Sequence, residues 1–271
     1  MPELPEVETC RRGITPHVIN QTVSEVIVRN ANLRWPITDN IDDLVGEKII
    51  AIRRRAKYLL LITDKGTLIL HLGMSGTLRV IPAHSEAAKH DHFDMVLDNG
   101  LALRLNDPRR FGAVLWITGD VEQHPLLNNQ GPEPLLDEFT GEYLYQKSRN
   151  KTVAVKTFIM NNQVVVGVGN IYANESLFQA GISPTKAAGK ISKQRYQRLV
   201  EKIKQVLTHA IEQGGTTLKD FTQADGRPGY FAQSLMVYGR GGQPCFICET
   251  PLKEIKQGGR ATTYCPRCQR G

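Results

Sequence analysis

Two groups in this 271-residue chain have the type and spacing to do chemistry: a cluster of cysteines near its end and a secondary amine near its start. Cys245-Phe-Ile-Cys248 is followed, after residues 249–264, by Cys265-Pro-Arg-Cys268, the spacing of two thiolate pairs on two β-knuckles. Four such thiolates close a tetrahedron with no open position, so a bound Zn2+ would be structural and would supply roughly 10–16 kcal/mol of folding energy. The plain alternative is reduced structural cysteines that happen to pair. Cys10 is left over and reads as a small hydrophobe.

The chain opens MPELPEVETC. Proline at the second position permits removal of Met1, which would leave Pro2 as a free secondary amine. An α-amine titrates near ~8, so a fraction is unprotonated and nucleophilic at neutral pH. Glu3, Glu6 and Glu8 follow at once. Pro5 with Glu6 and Glu8 in a first turn is also what an ordinary helix start looks like.

The elements that must position these groups fall into three stretches. In residues 1–131, Val7, Cys10 and Ile14 take helical spacing, and then come short strand-like runs, VSEVIVRN, KIIAIRRRAKYLLLI, TLILHLGM, GTLRVI, HFDMVLDNG, LALRL and GAVLWI. TDKG, SG and DNG between them are hairpin signals. This predicts an N-terminal two-layer antiparallel β-sandwich with a flanking helix, in an α+β, multidomain chain. After GPEP the pattern turns helical through 132–237. EFTGEYLYQKS, KTFIMN, NIYANESLFQAG ending at Gly181, and SKQRYQRLVEKIKQVLTHAIEQGG with Ser192 as N-cap and Gly214 as stop predict four helices. Residues 238–271 are a zinc ribbon, too small for a core of its own.

Composition bounds the function. With 41% apolar and 23% charged residues the chain should fold as an ordinary globular protein. Neither a membrane-spanning apolar run nor a signal peptide is visible, so the expectation is a cytoplasmic protein with no membrane partner. The net charge is +7, and residues 1–133 hold 15 Lys/Arg against 17 Asp/Glu. The positive excess therefore lies in the C-terminal half, which is the electrostatic footprint of nucleic-acid binding. No organic cofactor motif is apparent, and nothing suggests more than a monomer.

MPELPEVET at the start, VVVGVGNIYANESLF at 164–178 and the four-cysteine ribbon enclosing Arg260 together resemble the formamidopyrimidine-DNA glycosylases, bacterial base-excision repair enzymes. RRRAKYLLL, HLGMSG, KHDHFD, DPRRFG and GRPGYF stand in the expected order between those ends, so the resemblance spans the chain. It implies a helix-two-turns-helix central domain, one structural zinc ion, damaged double-stranded DNA as partner, and a nucleoid-associated enzyme. The implied activity is removal of oxidised purines, 8-oxoguanine and formamidopyrimidines, followed by strand cleavage at the abasic site.

The resemblance also implies residue roles. Pro2 would attack the sugar C1′ and form a Schiff base, and Glu3 would be the general acid. Burial beside Glu6 would raise Glu3's proton affinity, with Glu6 chiefly fixing the helix start. Lys57 would serve β-elimination and Arg260 δ-elimination. Met74, Arg109 and Phe111 would fill the space of an everted nucleotide. Asn170, at a helix start where Gly167 and Gly169 allow close backbone approach, would hold a phosphate with Lys57 and Lys151. His90 would contact DNA, Lys156 the damaged base, and the segment 216–231 would close over the lesion. Two alternatives remain open. One is the endonuclease VIII-type sibling, which acts on oxidised pyrimidines. The other is a non-catalytic zinc-ribbon DNA-binding protein.

Overall fold

A computed structural model of the chain describes residues 2–216 and 231–271. These divide into two compact units, Met1–Asn128 with Gln213–Ala232, and Asn129–Glu212 with Gln233–Gly271. The lesion-closing segment expected at 216–231 lies outside the described residues except at its two ends.

In the first unit, helix α1 (Leu4–Val18) buries Leu4, Val7, Cys10, Ile14 and Val18 along one stripe. Two four-stranded antiparallel sheets follow. One runs in the order β1 (Val23–Val28), β6 (Asp91–Leu97), β7 (Leu101–Asn106), β5 (Thr77–Pro82). The other runs β2 (Ala51–Arg55), β3 (Tyr58–Ile62), β4 (Gly66–His71), β8 (Ala113–Thr118). Leu59, Leu61, Leu68, Leu70 and Trp116 of the second sheet meet Phe93, Met95, Leu103 and Leu105 of the first, and the α1 stripe joins the same core. Alternate residues of that second sheet, Leu60, Ile69 and Leu115, bury on its other face with Leu127. Burial on both faces is why the run YLLLI lacks the alternation of a half-exposed strand.

One feature of the first sheet is ionic. Arg104, 2% exposed, donates from Nε and Nη2 to the Asp94 carboxylate at 2.8 and 2.7 Å, and from Nη1 to Asp91 at 3.3 Å. Arg29 adds a further bond to Asp94 at 2.7 Å. Burial alone would raise the Asp94 carboxyl, but the Arg104 and Arg29 guanidinium groups more than offset it and hold the pKa below the usual range.

The second unit contains α2 (Gly141–Ser148), α3 (Val155–Ile159), α4 (Asn170–Ala180) and α5 (Lys193–Glu212), then the hairpin β9 (Lys253–Gln257) and β10 (Arg260–Tyr264). Helix α4 is buried almost all round, whereas α5 buries one face, Leu199, Val200, Ile203, Val206, Leu207, Ala210 and Ile211. Gly181 ends α4 in the left-handed conformation at φ 70°, and Ser192 Oγ accepts from the Arg195 N–H at 3.4 Å before α5. The ribbon is knitted to the helices. Arg270 N–H donates to Gly181 O, Ser183 N–H donates to Arg270 O, and the Glu175 carboxylate accepts the backbone N–H groups of Met236, Val237 and Tyr238 at 2.8, 3.0 and 2.8 Å.

Candidate active site, DNA face and metal centre

The amino terminus is fixed by its own carboxylates. Glu3 is the N-cap of α1 in extended conformation, and its N–H donates to Glu6 Oε2 at 2.8 Å, while its side chain accepts from the Glu6 N–H. This reciprocal pairing satisfies two donors at the open helix end. Glu6 Oε1 then accepts both the N–H and the hydroxyl of Thr216, each at 2.9 Å. Pro2 and Glu3 are both buried, Glu3 to 2% exposure. Glu6 therefore fixes the helix start and the adjoining chain at Thr216.

Lys57 sits in the two-residue turn joining β2 to β3, with Ala56 in the left-handed region at φ 54°. A buried carboxylate on α1 reaches that turn. Glu8 accepts from Arg11, Arg12 and Arg54, and Arg54 Nη1 also donates to Ala56 O at 3.0 Å. Desolvation would raise the Glu8 carboxyl, yet the hydrogen bonds from Arg11 and Arg12 and the charge of Arg54 bring it below the usual value. Beside the same turn, His71 at the end of β4 packs on Tyr58 with ring centroids 4.8 Å apart. Burial, then the Lys57 charge, lowers its pKa to about 4, so the imidazole is neutral at pH 7.

Met74, Arg109 and Phe111 come from two loops held against each other. Asp107, fully buried, accepts from Ser75 Oγ at 3.2 Å and from the Gly112 N–H at 2.8 Å, so one carboxylate grips the loop after Met74 and the loop after Phe111. Gly73 makes the approach possible. It has φ 62°, and a Cβ there would lie 2.5 Å from the Phe111 carbonyl carbon. Phe111 is 36% exposed rather than a core residue, with the Arg109 guanidinium 4.9 Å from its ring centroid, and Met74 is partly buried. His90 adjoins this group through its carbonyl, which accepts from the Asp107 N–H at 3.0 Å.

In the second unit, Gly169 caps α4 and Asn170 is its first residue. Lys156 is 1% exposed, and its Nζ donates to Asn170 Oδ1 at 2.6 Å, Thr262 Oγ1 at 2.7 Å and Ala261 O at 3.2 Å. An ammonium has three N–H groups, and these contacts engage them. Its place is to bind the start of α4 to the β10 strand, a link that Asn170 Nδ2 reinforces through Ala261 O at 3.1 Å. Lys151 is exposed in the turn between α2 and α3. Arg260 is exposed at the first position of β10, just after the left-handed pair Gly258 and Gly259.

The four ribbon cysteines place their sulfurs within 4.8 Å of one another. The separations are 3.4 Å for Cys248–Cys268, 3.5 Å for Cys248–Cys265 and 3.9 Å for Cys245–Cys268. A tetrahedral zinc with bonds of about 2.3 Å requires edges of about 3.8 Å, so the set fits. Backbone N–H groups of Ile247 and Cys268 point at Cys245 and Cys265 Sγ at 3.5 and 3.3 Å, and Cys245 and Cys265 are buried. All four positions are filled by thiolate, so the zinc is structural. Cys10 is fully buried, and burial pushes its thiol up to about 12, consistent with an inert core residue.

Three contributors escaped the sequence reading. His71 and Asp107 lie inside quoted motifs, HLGMSG and DPRRFG, but their neighbours give no sign that the two motifs meet. Glu8 looks like any acid in a first helical turn, and only its pairing with Arg54 reveals the link to the Lys57 turn.

Comparison with known proteins spans the whole chain. Residues 1–114 match the formamidopyrimidine-DNA glycosylase N-terminal domain, 130–222 the formamidopyrimidine-DNA glycosylase H2TH domain, and 242–271 the zinc finger found in FPG and IleRS. A formamidopyrimidine-DNA glycosylase of Colwellia psychrerythraea is 63% identical over 269 residues, covering 99% of each chain. One of Idiomarina loihiensis is 60% identical and covers both chains completely. Among solved structures, the MutM (Fpg) protein of Thermus thermophilus superposes with a TM-score of 0.89 at 36% identity, covering 99% of this chain and 98% of that one. The Lactococcus lactis Fpg mutant G226P in complex with a Fapy-dG containing DNA gives 0.92 at 32% identity over the full length of both.

Proposed function

Because the chain belongs to the formamidopyrimidine-DNA glycosylase family, we propose that it excises oxidised purines from duplex DNA with the Pro2 amine as nucleophile and then cleaves the strand by β,δ-elimination. The observation that carries this reading is the reciprocal Glu3–Glu6 pairing, which holds Glu3, the residue next to Pro2, fixed in a buried setting.

Once Met1 is removed, the Pro2 nitrogen bonds to C1′ and the bond from C1′ to the base breaks, the base leaving with a proton. Glu3 protonates the ring oxygen, and the C1′–O4′ bond opens to an iminium ion. A secondary amine gives an iminium with no N–H to lose, so its positive charge persists as an electron sink. Loss of a C2′ proton expels the 3′ phosphate, and loss of a C4′ proton expels the 5′ phosphate. Lys57 assists the first elimination and Arg260 the second. Hydrolysis of the remaining iminium frees Pro2.

Turning the nucleotide out of the stack costs a few kcal/mol. Met74 and Phe111 fill the hole as an apolar wedge and a ring, and Arg109 pairs with the orphaned base; the exposure of Phe111 beside the Arg109 guanidinium supports this reading. Asn170 with the start of α4, and Lys151, hold phosphates, and His90 touches the backbone beside the wedge. We assign three functional parts, a catalytic sandwich at 1–131, a helical DNA-binding part at 132–237 and the zinc finger at 238–271, in a monomer working at the nucleoid in the cytoplasm. No helix among the described residues is long and apolar enough to cross a membrane.

The test is single-turnover excision on two duplexes. Release of 8-oxoguanine should exceed release of thymine glycol. The reverse order would assign the chain to the pyrimidine-specific sibling.

A further inference from the structure

We propose that the groove where the C-terminal end of α4 meets the zinc knuckles docks an acidic peptide segment that carries an apolar side chain. The groove has a volume of about 620 Å³ and lies wholly within the second unit. Its apolar lining comes from Phe178 of α4, Met236 and Ile247, beside the zinc-binding Cys248 and Cys268. Its rim is basic, with Arg198 and Lys202 one helical turn apart on α5 and Arg267 and Arg270 on the ribbon. No carboxylate lines it, and among the described residues no ion pair engages any of those four cations.

Two further observations point to a partner. Ile247 and Phe246, between the first two zinc-binding cysteines, are 67% and 64% exposed, more than any other large hydrophobic residue described. The Arg240 guanidinium stacks on the Phe246 ring at 3.4 Å from its centroid, which holds the knuckle's apolar tip in one pose. An exposed apolar surface rimmed by charge is the usual anatomy of a protein-binding patch.

Rival explanations account for only part of this. Zinc tetrathiolate is anionic, so Arg267 beside Cys268 neutralises it in part. Arg198 and Lys202 stand on a different element and also flank the groove. Nucleic acid would match the rim but would leave the apolar lining residues unused. The groove also sits at the far end of α4 from Asn170, about 15 Å along an 11-residue helix. That last point rests on the reading of the Asn170 end as DNA-facing, and the experiment separates the two.

Fluorescence anisotropy of fluorescein-Asp-Asp-Asp-Asp-Leu-Phe with the zinc-loaded full chain tests the proposal. Saturable binding is expected, weakened about tenfold by R198E/R267E and by I247S, and weakened likewise when Leu-Phe in the peptide is replaced by Ser-Ser. The variant R198E/K202E lies wholly on α5, so it gives the same readout if a ribbon variant loses zinc. Affinity for a lesion-containing duplex should be unchanged in R198E/K202E. Absence of saturable peptide binding, or indifference to the Leu-Phe replacement, overturns the proposal. Equal loss of duplex affinity in R198E/K202E would instead make the groove part of the nucleic-acid surface, which also overturns it.

Discussion

At the scale of single residues, the site is governed by where charge is allowed. His71 is the clearest case, because burial and the neighbouring Lys57 ammonium both disfavour its protonated form. In the folded protein its titration by NMR should have a midpoint at about 4. A midpoint near ~6.5, the ordinary value, would mean that the ring is solvated and Lys57 distant. The sign for stability follows from which state takes the proton first. As pH falls through about 6.5 the unfolded chain binds it while the folded chain does not, so stability declines from there down to about 4. An H71N variant should flatten that part of the curve. The sequence displays such residues but not their surroundings: MPELPEVE announces Pro2, Glu3 and Glu6, while nothing near Lys156 in the chain announces its contacts with Asn170, Ala261 and Thr262.

At the scale of elements, two loops and one metal hairpin decide whether the residues meet. The Met74 and Phe111 loops depend on Gly73, whose Cβ would collide with the Phe111 backbone. G73A should cost about 2 kcal/mol or more in thermal or denaturant unfolding and should reduce affinity for lesion-containing duplex. A variant with wild-type stability would mean that the two loops are not packed as described. The zinc hairpin carries Arg260, and the buried Lys156 joins it to Asn170. C268S should release zinc, measurable by a chromogenic chelator, and should abolish duplex binding. Full affinity in a metal-free variant would show that the ribbon is dispensable. Strands and helices were readable because period, hairpin residues and caps are local signals. The junctions were not, because Asp107 to Ser75 and Glu175 to 236–238 join positions far apart in sequence.

At the scale of the whole molecule, a chain with a slightly acidic sandwich and a basic C-terminal half must bind a polyanion through a limited set of cations. If Lys57, Lys151 and Arg260 each meet a phosphate, the logarithm of duplex affinity should fall against the logarithm of salt with a slope of about −2.7 or steeper. K151A should make that slope shallower by about 1. A flat response would contradict the charge reading. The central claim is covalent, however, and one measurement addresses it directly. The mature enzyme is incubated with 8-oxoguanine duplex and sodium borohydride, and the cross-linked peptide is mapped by mass spectrometry. The expected adduct is on the Pro2 nitrogen of chains that have lost Met1. An adduct found only on a lysine, or full activity in chains that retain Met1, would contradict the claim.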